Sequence, residues 1–315
     1  MYKVLFLDTG FDSSSEYFRK QRELVSGCSN QCLYKKSRKS LFSKLVMAFG
    51  VYIFSPFLYF LYGDWKNHLD EYDVFIISSR RASKYAIKYI KRKTHKRVVV
   101  WYWNMVTSKE ISPDYCRKHG CEPWSFDKND CKKYGMKFGD TYYFPPEKDF
   151  TQRTPEYSMF YVGINRPSRK ELLDSMGVYL QKNDLKYRFN LTALPTEPAS
   201  VRAQFSPRMD YEEVIDAISD SASILDLNRE NQSGMTLRPM EALFFKRKLV
   251  TNNEHIVEYS IYDKNNTFII KDNDFSELVE FIKMPYIEND SNNKKRRTYS
   301  FQQWLERICN DVEAE

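Results

Sequence analysis

Gln232-Ser233-Gly234-Met235-Thr236-Leu237-Arg238-Pro239-Met240-Glu241-Ala242-Leu243 is the stretch on which the reading of this chain turns. Two short apolar runs flank it, Ser223–Leu227 before and Lys248–Thr251 after. The pattern is strand, small-residue turn, helix, strand. The turn leaves backbone amides at the start of the helix, and Arg238 follows at once. Free amides at a helix start beside an arginine suit a phosphate. Glu241 lies on the same helix among Leu237, Met240, Leu243 and Phe244, a face otherwise fit for burial, so its charge needs a partner. Ribose hydroxyls, which acidic residues hold in nucleotide-binding α/β folds, would serve. A salt bridge within the chain is the alternative.

Outward from this stretch the chain alternates strand and helix. Met1–Asp8, Tyr72–Ser78 and Arg97–Trp103 are the β-branched and aromatic runs of buried parallel strands. Between the last two, Ala82, Tyr85, Ala86, Tyr89 and Ile90 recur at the spacing of an amphipathic helix over Arg81–Lys93. The second half repeats the theme. Tyr157–Gly163, Leu185–Leu191, Ala222–Leu227 and Thr267–Ile270 read as strands, and Ser168–Asn183 and Tyr211–Ser219 as helices. Ser168-x-x-Glu171, Asp274-x-x-Glu277 and Ser300-x-x-Gln303 read as capping boxes, the last opening a helix over Phe301–Cys309. Such alternation implies parallel sheets with right-handed crossovers. Prolines 145, 146 and 155 break regular structure, which predicts domains over 1–150 and 151–297 and a C-terminal helix over 298–315.

Hydrophobic residues make up 42% of the 315, enough for two cores, so disorder is expected only at Glu288–Arg297, polar and ending in four basic residues. The net charge of +7 is divided unevenly. Residues 1–150 carry 27 Lys and Arg against 16 Asp and Glu, while 151–315 carry 22 against 26. A basic half suits nucleic acid or anionic lipid. The six cysteines are scattered and Met1–Asp8 is no leader peptide, so free thiols and a cytoplasmic location are expected. Cys116, His119, Cys121 and Cys131 match no common zinc spacing.

The segment Thr236 to Ala242, with its Pro239-x-Glu241-Ala242, resembles the donor-nucleotide segment of GT-B glycosyltransferases. Val162-Gly163 followed by Arg166 and Arg169 is similar to the opening of the donor domain in GT-B enzymes of lipopolysaccharide and capsule assembly. The resemblance implies an α/β fold of two Rossmann-like domains facing a central cleft. It implies a metal-independent transferase whose nucleotide-sugar is a co-substrate, with no cofactor. Arg166, Arg169 and Arg238 then contact the diphosphate and Glu241 the ribose. Ser233, Gly234 and Thr236 offer backbone amides to the phosphate, and Asn228 and Gln232 reach the donor sugar. Retaining members carry Glu-x7-Glu, but Ser233 stands eight residues before Glu241, leaving inversion and retention both open. An inverting enzyme needs a base, for which Asp8 and Asp12 in the turn after the first strand are the candidates. Trp103-Asn104, at another strand end, is placed to position an acceptor. Asp272-Asn273-Asp274 imitates a metal-binding Asp-x-Asp but sits beside a capping signal.

Leu45–Tyr62 holds no charge and seven Phe or Tyr, and Lys35, Lys36, Arg38, Lys39 and Lys44 precede it. As a helix it would reach about 27 Å, but Pro56 interrupts it and it falls between two strands of one sheet. A buried helix pair and a monotopic surface helix are the two main readings. The aromatics gather in this run instead of alternating with the basic residues, which favours lipid over nucleic acid. The expected protein therefore extends a lipid-linked glycan in surface polysaccharide or lipopolysaccharide assembly, peripheral at the inner face of an anionic plasma membrane. A non-catalytic protein of the same fold, binding a nucleotide or a glycan, is the alternative.

Overall fold

The computed structural model describes residues 2–9, 15–35, 59–147, 150, 153–194, 196–228 and 234–314. Asp12, Gln232, Ser233 and most of the uncharged run, with Lys36, Arg38, Lys39 and Lys44, lie outside the described residues. The chain divides into two compact units, Met1–Asp140 with Leu305–Ala314, and Thr141–Trp304.

The first unit is built on a six-stranded sheet in the order β2-β1-β3-β4-β5-β6, every pair parallel. Its elements are β1 Val4–Asp8, α1 Ser15–Glu23, β2 Cys28–Cys32, β3 Val74–Ser78, α2 Lys84–Lys93, β4 Arg97–Tyr102, α3 Pro113–Lys118, β5 Glu122–Ser125, α4 Lys128–Tyr134 and β6 Lys137–Phe138. Strands β3 to β6 advance in one direction. Right-handed crossovers therefore put α2, α3 and α4 on the same face of the sheet. One core joins them there: Phe75, Ile77, Val98, Val100 and Tyr102 of the strands pack with Ala86, Ile87 and Ile90 of α2 and Cys116 of α3. The step from β1 to β2 runs the opposite way, so α1 takes the other face, where Arg22 lies 4.0 Å over the Phe6 ring.

The second unit holds a five-stranded parallel sheet, order β11-β10-β9-β7-β8. Its elements are β7 Tyr157–Ile164, α5 Pro167–Lys182, β8 Tyr187–Thr192, α6 Ala199–Arg202, α7 Tyr211–Ser219, β9 Ser221–Asp226, α8 Leu237–Phe244, β10 Lys248–Thr251, β11 Thr267–Ile269, α9 Leu278–Lys283 and α10 Asp290–Thr298. A last helix, α11 Phe301–Asn310, runs from the second unit into the first. There Arg97 donates to the carbonyls of Ile308 (2.5 Å) and Cys309 (2.9 Å) near its end, where helical carbonyls lack intrahelical partners.

Three local expectations are corrected. Helix α5 begins at Pro167 with Arg166 at its N-cap, so Ser168 lies inside the helix and opens no capping box. Pro at the first position supplies a helical φ and has no amide to satisfy. Asp274 closes a turn onto the Ser276 amide at 2.8 Å, and α9 starts only at Leu278. Residues 288–297 are not disordered. Asn289 caps α10 on the Asn292 amide, and the buried Asn292 amide group donates to Ile287 O at 2.9 Å. The Ser300 hydroxyl does accept from the Gln303 amide at the start of α11, at 3.3 Å. No helix among the described residues is long and apolar enough to cross a membrane.

Candidate functional site

The second sheet reverses direction between β7 and β9: β8 lies outside β7, and β10 and β11 lie outside β9. Beyond the carboxyl ends of these two strands the loops part to opposite faces and leave a crevice, the place where open α/β sheets bind ligands. Two helices start there, α5 after β7 and α8 after β9. Their N-termini bring unpaired amides and the positive ends of two helix dipoles.

Thr236 fixes the start of α8. Its hydroxyl accepts from the Arg238 amide at 3.0 Å and donates to Asp226 at 2.8 Å. Asp226 ends β9, is 1% exposed, and takes a second hydroxyl from Thr251 of β10 at 2.9 Å. Burial raises its pKa, opposed by these hydroxyls and by Arg238 and Arg169. Arg169, in the first turn of α5, donates to Leu227 O at 2.6 Å. The Asn228 amide donates to the Asn252 side chain at 2.8 Å. Gly234 is buried just ahead of the Thr236 cap, and Arg166 is exposed at the cap of α5. The structure thus gathers Arg169, Asn228, Thr236 and Arg238 around the ends of β7 and β9.

Glu241 faces inward. It is 0% exposed, accepts from the Tyr211 hydroxyl at 2.7 Å, and touches the Arg238 guanidinium without the alignment of a hydrogen bond. Tyr211 in turn bonds Tyr143 at 2.7 Å. Burial raises the Glu241 carboxyl and the Tyr211 hydroxyl alike. Burial works most strongly against the Arg238 charge, but Glu241, Tyr211, Tyr143 and Asp226 together outweigh it and raise the guanidinium further. One arginine therefore sits among two buried carboxylates, Asp226 and Glu241.

Tyr161 completes the crevice and was missed in the sequence. Its hydroxyl is buried beside the Arg169 guanidinium, to which it makes no well-aligned hydrogen bond, and Arg169 and Arg238 oppose the rise in its pKa that burial causes. A Cβ at Gly163 would stand 2.2 Å from that hydroxyl, so only glycine leaves room for the phenol two residues before it. Tyr-x-Gly at a strand end was the available signal. Asp226 was also missed, being the one carboxylate in an apolar run.

In the first unit Asp8 stands at the matching reversal, between β1 and β3. It accepts from Asn30 at 3.1 Å, and Arg22 lies 3.7 Å away. Trp103 packs edge-on against Phe18 and Trp101. Asp272 and Asn273 form a left-handed turn (φ 49° and 57°) in which Asp274 is engaged by Ser276. Among the described residues no group of three or more His, Cys, Asp or Glu is arranged to hold a metal.

Solved structures share this architecture. HepE from Anabaena, in complex with UDP and glucose, matches with a TM-score of 0.59 at 11% identity over 99% of both chains. Phage T4 β-glucosyltransferase matches at 0.54 and 14% identity, over 99% of this chain and 100% of that one. UDP-GlcNAc 2-epimerase from Neisseria meningitidis, bound to UDP-GlcNAc, matches at 0.50 and 10% identity over 98% of each. No protein-family model matches the sequence, and no curated protein does. Likeness at such identities is likeness of fold. The fold is GT-B, two Rossmann-like α/β domains, shared by glycosyltransferases and epimerases.

Proposed function

We propose that this protein is a glycosyltransferase that takes its sugar from a nucleotide-sugar, held by the second unit at the β7–β9 reversal. The observation that carries the reading is the cluster of Arg169, Arg238 and the buried, poorly aligned Tyr161 hydroxyl at the strand ends where two helices start. A buried hydroxyl left unmatched costs about 1–3 kcal/mol, a cost that an oxygen-rich anion in the crevice would remove. UDP-bound neighbours of the same fold support a nucleoside diphosphate as that anion.

In this reading Arg166, Arg169 and Arg238 offset the charge that grows on the departing diphosphate, the task a metal ion performs in other transferases. Thr236 and the amides from Gly234 onward seat the phosphate, with Ser233 and Gln232 on the same turn. Asn228 lies at the donor sugar. Glu241 supports Arg238 from behind, and a direct bond to ribose, which the resemblance implies, requires Arg238 to swing aside. Asp8 and Asp12 are the candidate bases. Asp8 would first have to give up its contacts with Asn30 and Arg22, which favours Asp12. The basic first half and the uncharged run support a lipid-linked glycan of surface polysaccharide or lipopolysaccharide as acceptor, at the inner face of the plasma membrane.

Incubation with UDP-, GDP-, CMP- and TDP-sugars in excess EDTA, with nucleotide release as readout, tests the reading. Release from one donor class, undiminished by EDTA, is expected. Binding without turnover would leave a non-catalytic nucleotide-binding protein. No binding of any nucleotide would end the proposal.

A further inference from the structure

Helices α2, α3 and α4 cover one face of the first sheet through a shared core. They carry ten Lys and Arg against two carboxylates, Asp114 and Asp130. Asp114 is taken by Arg117 at 2.5 Å and Asp130 by the Val106 amide at 2.7 Å. Among the described residues no carboxylate lies within ion-pair reach of Lys88, Arg92, Lys93, Lys118, Lys132 or Lys133. On α2, Lys84, Lys88 and Arg92 follow one another at four-residue spacing with no acidic residue on the helix. Like charges so spaced destabilise a helix, and Ala86, Ile87 and Ile90 occupy its buried side. The Tyr115 ring offsets part of the repulsion, 4.4 Å from Lys84 and 5.9 Å from Lys88, and an anionic surface would relieve the rest.

An aromatic edge borders this face. Tyr59 and Phe60 are 37% and 69% exposed, and the Tyr59 ring lies 5.3 Å from Tyr89 of α2. Lys66 sits 4.0 Å over Tyr59. A recess of about 400 Å³ beside the three helices is lined by Arg81, Lys84, Tyr115 and Tyr134 but also by the carboxylates of Glu110 and Asp114, so the cationic surface is the outer face of the helices and not this recess.

We infer that the α2–α3–α4 face docks on an anionic phospholipid bilayer, with its lysines and arginines at the phosphate headgroups and Tyr59 and Phe60 at the boundary between headgroups and acyl chains. Cations over aromatics is the arrangement of proteins that lie on a membrane. A nucleic acid would meet the same cations. The aromatics are grouped at one edge and not interleaved with the cations as a base-stacking groove needs. The inference deepens the reading of a membrane-borne acceptor and needs no donor, so its failure leaves the donor site standing.

The test is co-sedimentation of the full chain with vesicles of phosphatidylcholine alone or mixed with phosphatidylglycerol, at low and high salt. Pelleting is expected only with the anionic vesicles and is expected to fall with salt. Lys88→Gln/Arg92→Gln/Lys118→Gln/Lys132→Gln should weaken partitioning at low salt by about fivefold per cation removed. Phe60→Ser should weaken it at both salts, since apolar insertion is not screened. Lys170→Gln/Lys182→Gln, on α5 of the second unit, should leave it unchanged. Calorimetry with UDP on each variant confirms that the chain is folded and the donor site intact. Three results would overturn the inference: no pelleting with anionic vesicles, pelleting of the fourfold variant equal to wild type, or displacement of the protein from vesicles by duplex DNA at equal phosphate.

Discussion

At the carboxyl end of β1, Asp8 has a cation and an amide of its own: Arg22, stacked on Phe6, and Asn30. At the carboxyl end of β9, Asp226 has two hydroxyls, and the guanidinium that offsets its charge most, Arg238, is claimed by Glu241 as well. Both carboxylates flank the point where strand order reverses in their sheets, Asp8 on the strand before it and Asp226 on the strand after it. The first is closed by the chain that carries it. The second belongs to a set with a hydroxyl left over at Tyr161. A binding fold used twice in one chain has kept unmatched polar atoms at one reversal, and there a ligand has something to do.

The largest effect that would sharpen the contrast comes from alkali. Burial raises five thiols of the first unit, Cys28, Cys121 and Cys131 to about 12 and Cys116 and Cys309 to about 11, from 9.0. Thiols kept neutral in the folded state contribute stability that is whole below pH 9 and lost as pH rises through 11 to 12. The second unit has no cysteine, and its buried Lys248 is lowered by burial from 10.5 to about 8. That contribution has the opposite sign: it is present above pH 10.5 and lost as pH falls through 8. Limited proteolysis between pH 8 and 10.5 should therefore open the first unit ahead of the second, and Lys248→Met should flatten the second unit's response. Simultaneous opening would break the contrast.

Arg238→Met comes next. It leaves Glu241 buried with no cation and Asp226 with Arg169 alone, and breaking such a set costs about 3–5 kcal/mol, measurable by urea unfolding. Arg22→Met should cost less, about 1–3 kcal/mol, because Asn30 still bonds Asp8. Equal losses would show the two reversals to be equally self-contained. Arg169→Ala should change stability least, yet weaken nucleotide binding by about 2 kcal/mol, one charge-assisted bond. Calorimetry returning the wild-type affinity would remove Arg169 from the site, and Arg166→Ala, at an exposed position, should lose less still.

Strands β3, β4 and β10 were legible because a strand buried on both faces must be an unbroken apolar run. Strand β2, Cys-Ser-Asn-Gln-Cys, was not, since its order comes from pairing with β1, Val4 against Cys28 through Asp8 against Cys32. The missed strand β5 likewise pairs Trp101 with Trp124, residues a helix apart. In the site, Thr236, Arg238 and Glu241 were legible as neighbours on one turn and helix. The inward course of Glu241 was not, because Tyr211 lies 30 residues away in sequence. Pro167 misled the helix start for a local reason: it takes the first helical position and displaces the cap from Ser168 to Arg166.

The first unit draws its last segment, Leu305–Ala314, from beyond the whole second unit. A ribosome adds roughly 5–20 residues per second, so Arg97 waits on the order of ten to forty seconds for the carbonyls of Ile308 and Cys309. The second unit needs the chain only through Trp304, so a chain that stops there holds all of the second unit and a first unit without its last segment. A chain ended before Leu305 should keep hydrogen-exchange protection in β7–β11 and lose it in β4 and β5. Protection of both sheets in that truncated chain would show that the clasp is an ornament on a unit already complete.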